Sequence, residues 1–260
     1  MALSRCIPLN FTTFNSATSS DFLDAYNSYV GQKIASSAER IPSRTFTASS
    51  FRCDRWGWFR LRGSKPEITA VSADLNFTAD IGTACHRIIQ NNLINMLGSS
   101  WITVKDHIAS IDFPYEYTLE ESGDGLETLI EIKTPPIRFA CDGILEFNGK
   151  RYLLEIKTSE YASWNTLSEP KPKHIDQVKC YATLLNLPHV LFVYQDRQHG
   201  GLKCFEFEVK SYEMDDVKKR FDRVLDLAKK NLAPDPLPKG DSWCHPTMCP
   251  YYKICGEYGR

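Results

Sequence analysis

Asn148-Gly149, set between FACDGILEF and KRYLLEIKTS, limits what this chain can fold into more tightly than any other feature. Asn-Gly is the preferred two-residue loop of a β-hairpin, because both residues tolerate left-handed backbone. With these two at the turn, Phe147 faces Lys150. Five steps further along each strand, Asp142 faces Glu155. Strand side chains alternate, so Glu155 and Lys157 share one face while Leu154 and Ile156 take the other.

Two facing carboxylates repel unless a charge lies between them. A hard divalent cation turns that liability into a site, and oxygen ligands suit Mg²⁺ or Mn²⁺. Such a cation polarises a phosphate and acidifies its bound water, while Lys157 can hold the attacking water or offset charge on the phosphate. Phosphodiester hydrolysis fits this set better than redox chemistry. The plainer alternative is a surface strand with alternating charges, Asp142 being paired with a lysine at a sheet edge; a bulge would also break the register.

The flanking pattern is that of an α/β domain. Ile81, Cys85, Ile88, Ile89, Leu93 and Met96 recur at helical spacing and predict a helix over Ala79–Leu97 that carries His86. Short helices are expected around Asp21–Ile34. Strands follow from Ile102 to Phe147, separated by polar turns such as Glu120–Gly125. After the hairpin come a helix over His174–Leu185, strands over His189–Tyr194 and Leu202–Val209, and a helix over Met214–Lys230 that the proline-rich tail ends. Gln177 and Tyr181, four apart, share a helical face.

Composition narrows the function classes. The net charge of −1 gives no global argument for nucleic acid. Locally, Arg52, Arg55, Arg60, Arg62 and Lys65 interleave with Trp56, Trp58 and Phe59, a pattern that either neutralises phosphate and stacks on bases or lays a solvated face over an aromatic core. No apolar run reaches membrane-spanning length and no secretory signal is evident, so an intracellular protein without a membrane partner is expected.

In order and spacing, GTACH, FACDGI, LLEIKTS and QVKCY resemble the PD-(D/E)XK nuclease superfamily in its RecB-like and Cas4-like branch. The likeness covers about residues 79–194. It implies a mixed central sheet flanked by helices: an N-terminal helical and basic-aromatic region over 1–78, a nuclease core over 79–210, and a C-terminal helix with a cysteine-rich staple over 211–260. It further implies Mg²⁺ or Mn²⁺ on His86, Asp142, Glu155 and the Ile156 carbonyl, with Lys157 assisting hydrolysis and Gln177 and Tyr181 organising DNA. The expected activity is a DNA exonuclease acting at single-stranded or processed duplex ends, working with a helicase, recombinase or genome-defence protein. A sequence- or structure-specific endonuclease and an inactive DNA-binding subunit are the alternatives.

Nine cysteines are many for such a chain. Cys6, Cys85, Cys141, Cys180 and Cys204 are scattered and read as small apolar side chains. Cys244, Cys249 and Cys255 crowd into the last seventeen residues and offer three soft ligands, to which His245 or another cysteine would add a fourth. The family resemblance selects Cys53 and implies a [4Fe-4S] cluster, with Zn²⁺ as the alternative, tying the two ends of the chain across the core.

Overall fold

The computed structural model describes residues 16–38, 44–67, 73–121, 126–246 and 248–259. The chain divides into two compact units, Met1–Arg40 with Ala70–Phe77, and Ile41–Thr69 with Thr78–Arg260. In the smaller, one continuous helix, α1 (Ser16–Ala38), stands where short helices were expected around Asp21–Ile34. Cys6 and residues 122–125 of the expected Glu120–Gly125 turn lie outside the described residues.

In the larger unit, α2 (Asp54–Leu61) precedes α3 (Ala73–Leu97), which enters this unit at Thr78. Then come β1 (Trp101–Ile102), α4 (Val104–Ala109), β2 (Tyr117–Glu121), β3 (Thr128–Ile132), β4 (Ile137–Cys141), β5 (Gly143–Phe147) and β6 (Lys150–Ser159). The chain continues through α5 (Tyr161–Asn165), α6 (Pro172–Leu184), β7 (His189–Asp196), β8 (Leu202–Glu208), α7 (Ser211–Lys229) and α8 (Tyr252–Glu257). Helix α4 falls where only strands were expected; the Thr103 hydroxyl accepts the Asp106 amide at 3.0 Å and caps its first turn. Among the described residues, no helix is long and apolar enough to cross a membrane.

The central sheet has the order β1-β5-β6-β7-β8, and a second sheet has the order β2-β3-β4. Only β6 and β7 run parallel, joined through α6, so the central sheet is mixed. The hairpin forms as its turn dictates. Phe147 faces Lys150, Gly143 faces Leu154, and Asn148 and Gly149 take φ of 51° and 72°. Strand alternation then sorts the layers. Leu154 and Ile156 pack with Ile89 beneath α3, whereas Leu153 joins Val178, Ala182 and Phe221 in the larger core on the side of α6 and α7. Glu155 and Lys157 belong to that second side.

This α/β arrangement, a mixed central sheet flanked by helices, is the one expected, but the expected cysteine-rich staple is not a distinct element. The tail docks on α2 through rings and one arginine. Phe59 stacks on Tyr251 at 5.1 Å, Trp58 meets Tyr258 edge-on, and buried Arg55 donates to the Pro234 carbonyl at 2.7 Å. The aromatics of the basic segment are therefore largely core: Trp58 is 0% and Phe59 1% exposed.

Gly143, next to Asp142, has no room for a side chain. A Cβ there would lie 2.3 Å from the Trp101 ring. Gly143→Ala is expected to cost about 1–3 kcal/mol through overpacking, read as a lower urea midpoint.

Candidate metal centre

Three chain segments meet at Asp142. It is the single residue between β4 and β5, hence between the ladder to β3 and the ladder to β6. Thr128 faces Cys141 in the first ladder, so one further step sets Glu127 across from Asp142. In the second, Gly143 faces Leu154, so one further step sets Glu155 across from it. The Asp142 Oδ2 accepts the Ile156 amide at 2.6 Å, and its Oδ1 lies 3.3 Å from the Nδ1 of His86 on α3.

His86, Glu127 and Asp142 each offer one ligand atom, all within 4.8 Å of one another. Adjacent ligands on an octahedral cation with bonds of ~2.1 Å lie about 3 Å apart, close to the His86–Asp142 separation. One imidazole nitrogen and two carboxylates fit a hard or borderline divalent cation. Glu127 was not foreseen from the sequence, because the β3–β4 register that sets it beside Asp142 has no turn signature as plain as Asn-Gly.

Gln90, one helical turn beyond His86 and 1% exposed, joins these segments. Its amide Nε2 donates to the Asp142 carbonyl at 2.7 Å and to the Leu126 carbonyl at 3.3 Å. One side chain thus ties α3 to the backbone of Asp142 and of Glu127's neighbour.

Glu155 is buried beside this centre and pairs with Lys157 on the same strand face. Burial, with the Asp142 charge adding to it, pushes the Glu155 carboxyl up to about 7, against the opposing pull of Lys157 and His86. The Gln177 amide donates to the Tyr181 hydroxyl at 2.8 Å. Tyr181 is buried against Phe139, and that burial, with Glu155 next in effect, holds its phenol well above the usual range. The Ile156 side chain is fully buried, and its amide serves Asp142 as described.

The cysteines require a correction. Cys53, Cys244, Cys249 and Cys255 line one apolar void. All four are free thiols, and among the described residues the metal-capable group is His86, Glu127 and Asp142. No three of the sulfurs converge as zinc ligands do. Burial raises the Cys53 thiol and pushes Cys249 up to about 11.

No family model matches the chain, and no curated protein matches it. Among solved structures, it is similar to the crystal structure of SSO0001, with a TM-score of 0.51 and 16% identity over 91% of this chain and 98% of that one. That similarity is one of fold. An alkaline exonuclease (LHK-Exo) from Laribacter hongkongensis aligns at a TM-score of 0.48 and 16% identity, over 73% of this chain and 90% of that one. Its complex with dAMP aligns at 0.46. These two alignments are too loose to bear on function.

Gln90→Leu removes the donor from two part-buried carbonyls. It is expected to cost roughly 1–3 kcal/mol of stability and to weaken Mn²⁺ binding about tenfold or more, as measured by urea titration and calorimetry. A second expectation concerns His174, whose imidazole is pushed down to about 3 from 6.5 by burial and then by Lys157, Lys173, Lys171 and Arg52. Between those values the unfolded chain binds the extra proton, so this group's contribution is complete above 6.5 and is lost as pH falls towards 3. His174→Gln removes that slope, and its stability relative to the native protein should rise on acidification.

Proposed function

We propose that the chain is a metal-dependent deoxyribonuclease that hydrolyses phosphodiester bonds at single-stranded or processed duplex DNA ends. The observation that carries this reading is the convergence of His86, Glu127 and Asp142 beside Glu155 and Lys157. A half-open acidic cluster, in which Glu155 is buried, Asp142 half-buried and Glu127 exposed, with Lys157 beside it, suits a reaction in which an anionic phosphate and a water must be held together. The fold, shared in outline with PD-(D/E)XK nucleases, is consistent with it.

In this reading His86, Glu127 and Asp142 hold Mg²⁺ or Mn²⁺, and Glu155 bounds the site on its β6 side. When bound, such a cation supplies Lewis-acid polarisation of the phosphate and a more acidic water. Lys157 directs its ammonium at the attacking water or at developing charge on phosphate. Its ion pair with Glu155 keeps that group at the centre before substrate arrives. The Ile156 amide fixes one Asp142 oxygen, leaving the other turned to His86. Gln177 and Tyr181 place the DNA strand, the Gln177 bond holding the buried phenol in one orientation. A helicase, recombinase or genome-defence protein would present the end.

End-labelled linear DNA and circular DNA, incubated with Mg²⁺ or Mn²⁺, test this. Cleavage should start at labelled ends, cease in EDTA, and fall about 10²–10³-fold in Lys157→Ala, with at least as large a loss in Asp142→Ala and Glu127→Ala. Unchanged cleavage in the folded Asp142 and Lys157 variants would reject the site. Equal cutting of circles would replace the exonuclease with an endonuclease, and binding without cleavage would leave a DNA-binding subunit.

A further inference from the structure

A second concavity, of about 250 Å³, includes Lys157 in its lining but none of His86, Glu127, Asp142 and Glu155. Arg52, Trp56, Lys157, Lys173, Gln177 and Trp243 are among its walls. Three of these carry positive charge, and Asp176 is the one acidic residue that lines it. The Arg52 guanidinium lies over the Trp243 ring, 3.4 Å from its centroid, so the wall they form is both flat and cationic. Trp56 adds a buried indole N–H with no hydrogen-bond acceptor.

The charges here are crowded. Burial holds the Lys173 ammonium below its ordinary range, and repulsion from Lys171, Arg52 and Lys157 adds to the effect. His174, also in the wall, gives its Nδ1 to a 2.7 Å hydrogen bond with the Tyr194 hydroxyl and stays neutral under the same field. Asp176 and Asp241 are the acids that face Arg52. An anion is the complement this arrangement lacks, and flat walls suit an unpaired base.

We infer that this cavity seats one nucleotide of a single-stranded DNA substrate next to the bond being cut, with Arg52 and Lys173 on its phosphate and the Arg52–Trp243 wall against its base. This deepens the nuclease reading and rests on it for the position of the cut. Lys157 belongs to both places, so a strand threaded through the cavity arrives with its next phosphate at the acidic cluster. The preference for unpaired DNA then comes from a flat wall on which an unpaired base stacks.

The test separates binding from cleavage. Fluorescein-labelled oligo(dT) is titrated with the protein in EDTA over a range of NaCl concentrations, using native protein, Lys173→Ala, Trp243→Ala and, as a control, Lys218→Ala on the far exposed stretch of α7. Lys173 is exposed, so its truncation leaves the fold intact, which the thermal midpoint verifies. Lys173→Ala should reduce the salt slope by about 0.7, and Trp243→Ala should weaken binding about tenfold, while Lys218→Ala and blunt duplex binding stay as in the native protein. Native affinity and slope in both cavity variants, or equal weakening on blunt duplex, would overturn the inference. Cleavage of end-labelled DNA in Mn²⁺ is run in parallel. Cleavage by the native protein with unaltered binding by the cavity variants removes the cavity and keeps the nuclease. Weakened binding with no native cleavage removes the nuclease and keeps the cavity.

Discussion

The position of Asp142 between two ladders is the constraint on which the candidate centre depends. A residue within a strand has one neighbour across each ladder; a residue at the junction of two ladders has carboxylates brought to it from both. Glu127 comes from β3 and Glu155 from β6, each one step beyond the last paired residue. Two unit charges 4 Å apart interact by about 4 kcal/mol at an effective dielectric of 20, so the cluster is costly without compensation. His86, Lys157 and the Ile156 amide supply part of it. A divalent cation held by His86, Glu127 and Asp142 would supply the rest.

Much of this was legible in the sequence, for a local reason. Asn148-Gly149 fixes its own register, and the period of two then assigns Glu155 and Lys157 to one face without knowledge of the rest of the fold. The α6 and α7 stripes were readable for the same kind of reason, since each buries one side, whereas on α3 Ile89 is buried but Ile81, Ile88 and Met96 of the expected stripe are exposed. Glu127 and Gln90 were not readable. Glu127 gains its meaning only once Thr128 is known to face Cys141, a pairing across a turn of Lys133 to Pro136 with no decisive signature. Gln90 looks like any polar residue on a helix; its two carbonyl partners come from 36 and 52 residues away.

The cysteines show where spacing misleads. Three thiols in seventeen residues suggest soft ligands, yet ligands to one metal must come together in space. Here, among the described residues, no three of the sulfurs come together, and aromatic rings hold the tail to α2. The tail is still fixed to the N-terminal basic segment. Arg55, Glu67 and the Phe59–Tyr251 stack achieve this with ordinary hydrogen bonds and packing, Glu67 accepting the Lys253 and Ile254 amides at 2.6 and 3.0 Å.

That same attachment shapes the basic cavity. Arg52 precedes α2, Trp243 lies in the tail, and Lys173 begins α6; the cavity exists because the tail is held against the segment around α2. Its position beside Lys157 follows from the parallel crossover, since α6 must start near the end of β6 in order to return the chain to β7. The one parallel pair in an otherwise antiparallel sheet therefore does two things. It carries the bonded pair Gln177 and Tyr181 on α6, and it brings the basic first turn of the same helix to the concavity that Lys157 and Gln177 line. Acidic and basic regions meet at Lys157, the residue whose ammonium neutralises one and belongs to the other.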